Sequence, residues 1–301
     1  MRLLGVVDAD TARADAVAKE FGCRGFGSVE QLITTHSEVQ AASVAVPTLH
    51  HLAVARQLIN AGIDVLIEKP VASSLAEADE LRRVARNSTQ IVQVGHLERF
   101  NPAVRATLSV ITRPMFFEVH RLSVFTPRSL DVDVVLDLMI HDLDIVLTFV
   151  KSPVKEIRAV GLPILSGKVD IANVRIEFES GCVANFTASR VSTERVRKLR
   201  FFQPKQYVSL DYGRQDVTVF SIGDSGAGRP SVNPQIQVAK LPTAQEEPLH
   251  AELKAFVESV EKRSDPLVSL EDGRRALAVA LDIVAAIRQH GEKVNLDQLR
   301  E

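Results

Sequence analysis

Short apolar runs alternate with stretches of helical periodicity along the first hundred or so residues. Leu3–Val7 is an apolar run closed by Asp8, which reads as a buried strand with a polar residue at its carboxyl edge. Thr11–Phe21 is Ala-rich with its charges on one side and is closed by Gly22, the pattern of a helix. Ala41–Val46 reads as a second buried strand, stopped by Pro47, and His51–Asn60 as a helix ended by Ala61-Gly62. Asp64–Ile67 is a strand leading into Glu68-Lys69-Pro70, Leu75–Asn87 a helix, and Ile91–Gly95 a strand. Strands with few polar positions, alternating with helices over short connections, predict a parallel sheet covered on both faces.

The pattern changes after Phe100-Asn101-Pro102. A long helical stretch, Val132–Val150, precedes strand-like runs at Glu156–Val160, Asn173–Phe178, Val183–Ala188, Leu199–Phe202, Tyr207–Leu210 and Val217–Ile222. Gly, Asp, Ser or Pro separates many of them, which predicts an antiparallel or mixed sheet. Gly223–Pro234 reads as a loop, and helices over 250–262 and 270–289 close the chain. The expected organisation is α/β. Residues 1–100 form a Rossmann-type, doubly wound domain, and residues 101–301 an α+β domain with a large, mostly antiparallel sheet.

Composition narrows the function classes. With 301 residues the chain is long enough to bury a sizeable core without disulfide or metal staples. A formal charge of −2 gives no electrostatic case for nucleic acid or an anionic membrane as partner. The two cysteines, Cys23 and Cys182, fit a reducing compartment. No apolar run reaches the ~18 residues that would span a bilayer. Met1-Arg2 leads into Leu3 without a signal-peptide core, so a cytoplasmic protein is expected.

The residues that could carry chemistry are few. The helix over 131–150 is apolar on nearly every side, yet Asp137, His141 and Asp144 follow at i, i+4 and i+7, one stripe of an α-helix. A buried carboxylate or imidazole is costly unless paired. The stripe is either a satisfied network, a row facing a solvent-filled cleft, or a histidine general base with carboxylates that orient it. No Cys or further His pattern accompanies these residues, and no metal is expected. Lys69 follows a parallel strand at the edge where open α/β sheets bind ligands; it is either one half of a loop salt bridge or a fixed donor. Asp8 fits the acid that accepts from an adenosine ribose, as would any strand-ending Asp. Thr48, after Pro47, reads as an N-cap. His50 and His51 are adjacent and cannot share a helical face as a metal pair.

Two glycine-rich stretches, Gly22–Gly27 and Gly223–Gly228, read as G-x-x-G-x-G turns, not as phosphate loops. The basic run Arg195, Arg197, Lys198, Arg200 reads as one painted strand face, either a solvated or subunit-interface face or a contact for substrate phosphates.

Taken in order, Val6-Val7-Asp8, Val46-Pro47-Thr48-x-x-His51, Glu68-Lys69-Pro70, Val94-Gly95-His96 and Asp137-x-x-x-His141 resemble the glucose-fructose oxidoreductase / inositol dehydrogenase (Gfo/Idh/MocA) family across almost the whole chain. Within it, His96-x-x-Arg99-Phe100-Asn101-Pro102 and Arg195–Tyr212 look like enzymes that oxidise C3 of UDP-linked N-acetylated sugars, as in lipid A precursors. The resemblance implies that Lys69 stabilises the developing alkoxide, that His141 takes the proton, and that Asp137 tunes His141 or binds the sugar. It also implies that Pro47, Thr48, His51, Glu68, Lys69 and His96 line the nicotinamide side and that Asp8 binds the ribose. NAD is then favoured over NADP, because a carboxylate repels a 2′-phosphate. Arg99 and Asn101 would face the substrate.

A homodimer or homotetramer is implied as well. Alternatives are a dehydrogenase of another sugar, uronate or polyol, or a catalytically impaired sugar-nucleotide-binding homologue. The family's first strand, its G-x-G-x-x-G/A turn and first helix, about 20 residues before the acid, do not precede Asp8. The expectation is therefore a truncated Rossmann domain, with Met1 an internal methionine and the reading frame continuing upstream.

Overall fold

The structure, a computed structural model, describes residues 1–126, 132–222 and 235–294. The loop expected over Gly223–Pro234, and its glycine cluster, lie outside the described residues. The chain divides into two compact units, residues 1–95 with 254–274 and residues 96–253 with 275–301. A two-domain chain was expected, but cut once at residue 100. The difference has a physical cause. Val94 N–H donates to Val268 O, and Gln93 bridges Ser269, so the late segment extends the first unit's sheet. Gly273 sits so close to Val94 that a Cβ there would meet its side chain at 2.8 Å. Arg263 pairs with the buried Asp64, and Arg274 with Asp79 at 2.6 Å.

In the first unit, β1 (Gly5–Val7) pairs in parallel with β2 (Arg24–Phe26). β3 (Ala41–Val44), β4 (Asp64–Glu68) and β5 (Val92–Gly95) form a separate parallel sheet in that order. The helices between them are α1 (Thr11–Phe21), α2 (Val29–Thr35), α3 (His51–Asn60) and α4 (Leu75–Arg86). Central strand β4 is buried from Asp64 to Ile67, which explains its unbroken apolar run. Polar caps fix where the helices start: Asp10 accepts from Ala12 and Arg13 amides ahead of α1, and Ser74 from the Glu77 amide ahead of α4.

The glycine stretch read as a turn is half a strand. Gly22, at φ 67°, is the left-handed C-cap of α1, but Gly25 lies inside β2, where a Cβ would meet the α1 backbone at 2.9 Å. That glycine serves close helix–strand packing. Strand β2 and helix α2 were not foreseen.

In the second unit, α5 (Pro102–Thr107) precedes β6 (Phe116–Leu122), and a π-helical turn, Val135–Met139, runs into α6 (Ile140–Val150). Strands β7 (Val154–Leu162), β8 (Ile171–Phe178), β9 (Val183–Ser189), β10 (Val196–Gln203), β11 (Gln206–Asp211), β12 (Asp216–Ile222) and β13 (Ile236–Lys240) follow. They join β6 in one eight-stranded sheet, ordered β13-β12-β11-β10-β6-β9-β8-β7. Every pairing is antiparallel except β6 with β9. Helices α7 (Pro248–Lys262) and α8 (Leu270–Lys293) close the chain. The fold is thus Rossmann-type parallel sheets followed by a large, mostly antiparallel sheet.

Helix α6 covers one face of the sheet: Phe149 packs on Phe117 and Phe201 at ring distances of 6.5 and 6.3 Å. On the opposite face Tyr207 stacks between Phe202 at 4.9 Å and Phe220 at 5.2 Å, a ladder of cross-strand rings.

Asp170, at the foot of β8, binds the β7–β8 loop to the segment before α6. It accepts from the amides of Ile164, Leu165 and Ser166 and from the Ser166 hydroxyl, and lies 3.8 Å from Arg190, which reaches Val132 O. Burial alone would raise its pKa; the Ser166 hydroxyl and the amides outweigh that and lower it to about 2 from 3.8. A depressed carboxyl contributes stability above the unfolded pKa and loses it as pH falls through the folded one. The contribution is about 2 kcal/mol, present above about pH 4 and lost by about pH 2. Asp170→Asn is expected to unfold at lower urea than the parent at pH 7, with the gap closing as pH falls through that window. A gap independent of pH would contradict this account.

Candidate active site

The carboxyl ends of the first unit's strands carry most of the expected cofactor residues, the edge at which open α/β sheets bind ligands. Asp8 follows β1; one carboxylate oxygen accepts from the Asp10 amide at 2.8 Å, and the other lies 3.4 Å from Arg13. Pro47 and Thr48 follow β3. Thr48 was expected as an N-cap, but it makes no capping hydrogen bond; it opens a 3-10 turn, Thr48–His50, that feeds α3. At the end of β4, Glu68 Oε2 accepts from the Lys69 amide at 3.3 Å, and the Lys69–Pro70 peptide is cis. Gly95, paired with Glu68 across β4–β5, leaves room for that carboxylate: a Cβ would sit 3.2 Å from it.

His51 is held from both sides. It is 1% exposed, and its ring nitrogens face Val46 O at 2.9 Å and Pro70 O at 3.0 Å. With both nitrogens on backbone carbonyls it braces the ends of β3 and β4.

The second unit holds the rest. His96 is buried and opens a 3-10 turn, Leu97–Phe100. Asp137 lies in the π turn and His141 in the first turn of α6, both partly exposed. The stripe expected of one α-helix is broken there, because a π turn closes i→i+5 bonds (Ile140 N–H to Val135 O) and rotates Asp137 off the regular spacing. Asp144, the third member, is buried and takes Arg99 Nε at 2.8 Å. Arg99, expected at the substrate, is therefore engaged in a nearly buried ion pair. Asn101 is 2% exposed and caps α5: its Oδ1 accepts from the Ala103 amide while Nδ2 donates to Glu98 and to Tyr212 O. Those contacts make it a scaffold residue.

What the sequence reading missed is the network behind these groups. Arg121, 4% exposed on β6, is bidentate to Asp142 at 2.6 and 2.9 Å and reaches Glu98 at 3.0 Å. Its guanidinium lies 5.1 Å from the Tyr212 ring centre. Burial opposes the charge, but Asp142 and Glu98 more than offset it and hold Arg121 above its ordinary pKa. Asp142 adjoins His141, and Glu98 belongs to the turn that His96 opens, so one cation fixes both. A signal did exist. Asp142, next to His141, places a further acid on a mostly apolar helix, and Arg121 occupies a core-facing position of Phe116–Leu122.

Parallel strands with polar residues at their carboxyl ends, beside a large, mostly antiparallel sheet, are the architecture of the Rossmann-type, dinucleotide-binding class. Residues 1–96 match the Gfo/Idh/MocA oxidoreductase family's NAD-binding Rossmann fold, and residues 106–206 match its C-terminal domain. The chain is 36% identical over 287 residues to UDP-N-acetylglucosamine 3-dehydrogenase of Acidithiobacillus ferrooxidans, covering 95% of this chain and 90% of that protein. It is 25% identical over 316 residues to scyllo-inositol 2-dehydrogenase (NAD(+)) of Bacillus subtilis, covering 99% of this chain and 90% of that one. A solved structure of the Acidithiobacillus ferrooxidans enzyme superposes with a TM-score of 0.86 at 35% identity, covering 95% of this chain and 89% of that chain. The chain belongs to the Gfo/Idh/MocA family.

Breaking the Arg121 network strands two buried carboxylates. Arg121→Met is expected to cost about 3–5 kcal/mol in urea unfolding, whereas adding Asp142→Leu and Glu98→Met should recover much of it. Equal losses in the single and triple variants would refute the idea that Arg121 compensates those acids.

Proposed function

We propose that the chain oxidises the C3 hydroxyl of a nucleotide sugar such as UDP-N-acetylglucosamine, with NAD as hydride acceptor. The observation that carries this reading is the 36% identity to a UDP-N-acetylglucosamine 3-dehydrogenase, sustained over 95% of the chain. The donor set fits the cofactor. The Asp8 carboxylate, with a side chain 29% exposed at the carboxyl end of β1, is of the type that accepts from a ribose diol. Thr48, Glu68, Lys69 and Gly95 lie at the same edge of β3, β4 and β5. When bound, the nicotinamide supplies a two-electron acceptor.

The protein's part is to handle the proton and the developing charge. Lys69 donates a hydrogen bond to the reacting hydroxyl oxygen and stabilises the alkoxide. His141 accepts the hydroxyl proton as the C3 hydride departs, so the sugar loses one proton and one hydride and becomes a ketone. Asp137 orients His141 or binds the sugar. A second reading, oxidation of a polyol, draws on the 25% identity to the inositol dehydrogenase.

Purified protein given NAD is expected to form NADH and a 3-keto sugar with UDP-N-acetylglucosamine and little NADH with scyllo-inositol; the reverse preference would select the polyol reading. Lys69→Met and His141→Asn should each lower kcat by about 10²–10⁴-fold with small effects on KM. Their combination should cost much less than the product of the singles, since both serve one proton transfer. Fully multiplicative losses would separate their roles.

Asp8 sets the cofactor preference in this reading. Asp8→Ala should lower the ratio of kcat/KM for NAD over NADP, and an unchanged ratio would remove Asp8 from that role.

A further inference from the structure

Two acids of the expected stripe lie close to His141 in sequence, and the π turn separates their roles. Asp137 sits in that turn, off the regular spacing, whereas His141 and Asp144 both fall inside α6, three residues apart in regular α-helix. Residues at i and i+3 share a face, with Cβ atoms about 5–6 Å apart. Helical side chains lean toward the helix N-terminus, so the Asp144 carboxylate lies over the turn that carries His141. Asp144 is 1% exposed, and its two oxygens differ. Oδ2 takes Arg99 Nε at 2.8 Å, while Oδ1 is buried and accepts from no described group. An open acceptor on a buried carboxylate is costly, and Arg99 alone would be enough to anchor the group. His141 is partly exposed, and Nδ1 is a buried atom of its ring.

We infer that Asp144 is the positioning residue of His141: its Oδ1 takes the Nδ1 proton and leaves the Nε2 lone pair for the substrate. This rests on the reading of His141 as the base. A neutral imidazole has one N–H, and the acceptor it finds decides which nitrogen carries it. With the proton on Nδ1, the C3 hydroxyl proton passes to Nε2 as the hydride leaves for the nicotinamide. Nδ1 keeps its proton, and Asp144 stays ionised and stabilises the imidazolium. Catalytic hydrogen bonds of this kind tighten as charge develops on the ring, so Oδ1 is open in the resting protein. Asp137 is then left for the sugar.

Long-range proton–nitrogen NMR of the histidine rings is the test, at about pH 9, where ordinary imidazoles are neutral. His141→Asn assigns the signal. The parent's His141 is expected to carry its proton on Nδ1. In Asp144→Asn, Arg99 keeps the amide oxygen, the amide N–H turns to Nδ1, and the ring proton moves to Nε2. Asp137→Asn should leave the proton on Nδ1. In turnover, Asp144→Asn is expected to lower kcat about 10²–10⁴-fold with KM little changed, and Asp144→Glu to recover part of the loss. The parent spectrum decides the matter even where a variant misfolds: a proton on Nε2 overturns the inference, and so does an unchanged kcat in Asp144→Asn. If Asp144→Asn moves the ring proton but UDP-N-acetylglucosamine yields no NADH with the parent, the pairing stands and the dehydrogenase reading falls.

Discussion

The second unit's candidate site depends on a buried guanidinium. Arg121 joins three pieces of chain distant in sequence: β6, the turn carrying Glu98, and the first turn of α6 through Asp142. Taking these charges out of water is costly, and only the bidentate geometry and the second carboxylate repay it. The same cost enforces a register. If α6 slid by one residue, Asp142 would leave the fork and a buried charge would stand alone. The position of His141 along β6 is thereby set by electrostatics, over a core of Phe117, Phe149 and Phe201 that is apolar enough to tolerate several packings.

The first unit solves the same problem with hydrogen bonds between side chains and backbone. Its functional edge is made of strand ends, which a parallel sheet leaves as loops without ladder partners. His51 spans two of those loops through Val46 O and Pro70 O, and Glu68 accepts from the Lys69 amide. A lysine on a mobile loop would spend its charge on solvent; braced from both sides, it is held on rigid elements, as a catalytic donor requires. The chemistry proposed for Lys69 and His141 thus rests on residues whose hydrogen bonds and ion pairs hold the chain on either side of them.

Much of this was legible in the sequence, for identifiable reasons. Helices α1 and α3 and strand β4 stood out because caps, glycine stops and unbroken apolar runs are local signals. Strand β2 was hidden because its two flanking glycines carry turn propensity, while the reason for Gly25, an approach to α1 closer than a Cβ allows, is tertiary. The return of residues 254–274 to the first unit was equally invisible, since backbone bonds such as Val94 N–H to Val268 O leave no mark on side-chain pattern. His51, Arg99 and Asn101 were recognised as special, but the partners that hold each of them within the chain were not foreseen. A residue type in a motif shows that a polar group is needed there, while burial and partners decide whether it faces a ligand or another part of the chain.

The basic strand shows how far that last distinction reaches. As a sequence, Arg197, Lys198 and Arg200 are interchangeable positive charges. The two-residue period of the strand sorts them, and the partners across the ladder decide what each one costs. Lys198 and Arg200 are matched by acids, so their charge is balanced within the folded chain. Arg197 faces Arg121, and the same two acids, Asp142 and Glu98, act on both, so two guanidiniums and two carboxylates balance on the face that α6 shares. A pair of arginines placed opposite one another is tolerated when two acids lie within reach of both, because the charge of the cluster then sums to zero inside the chain itself.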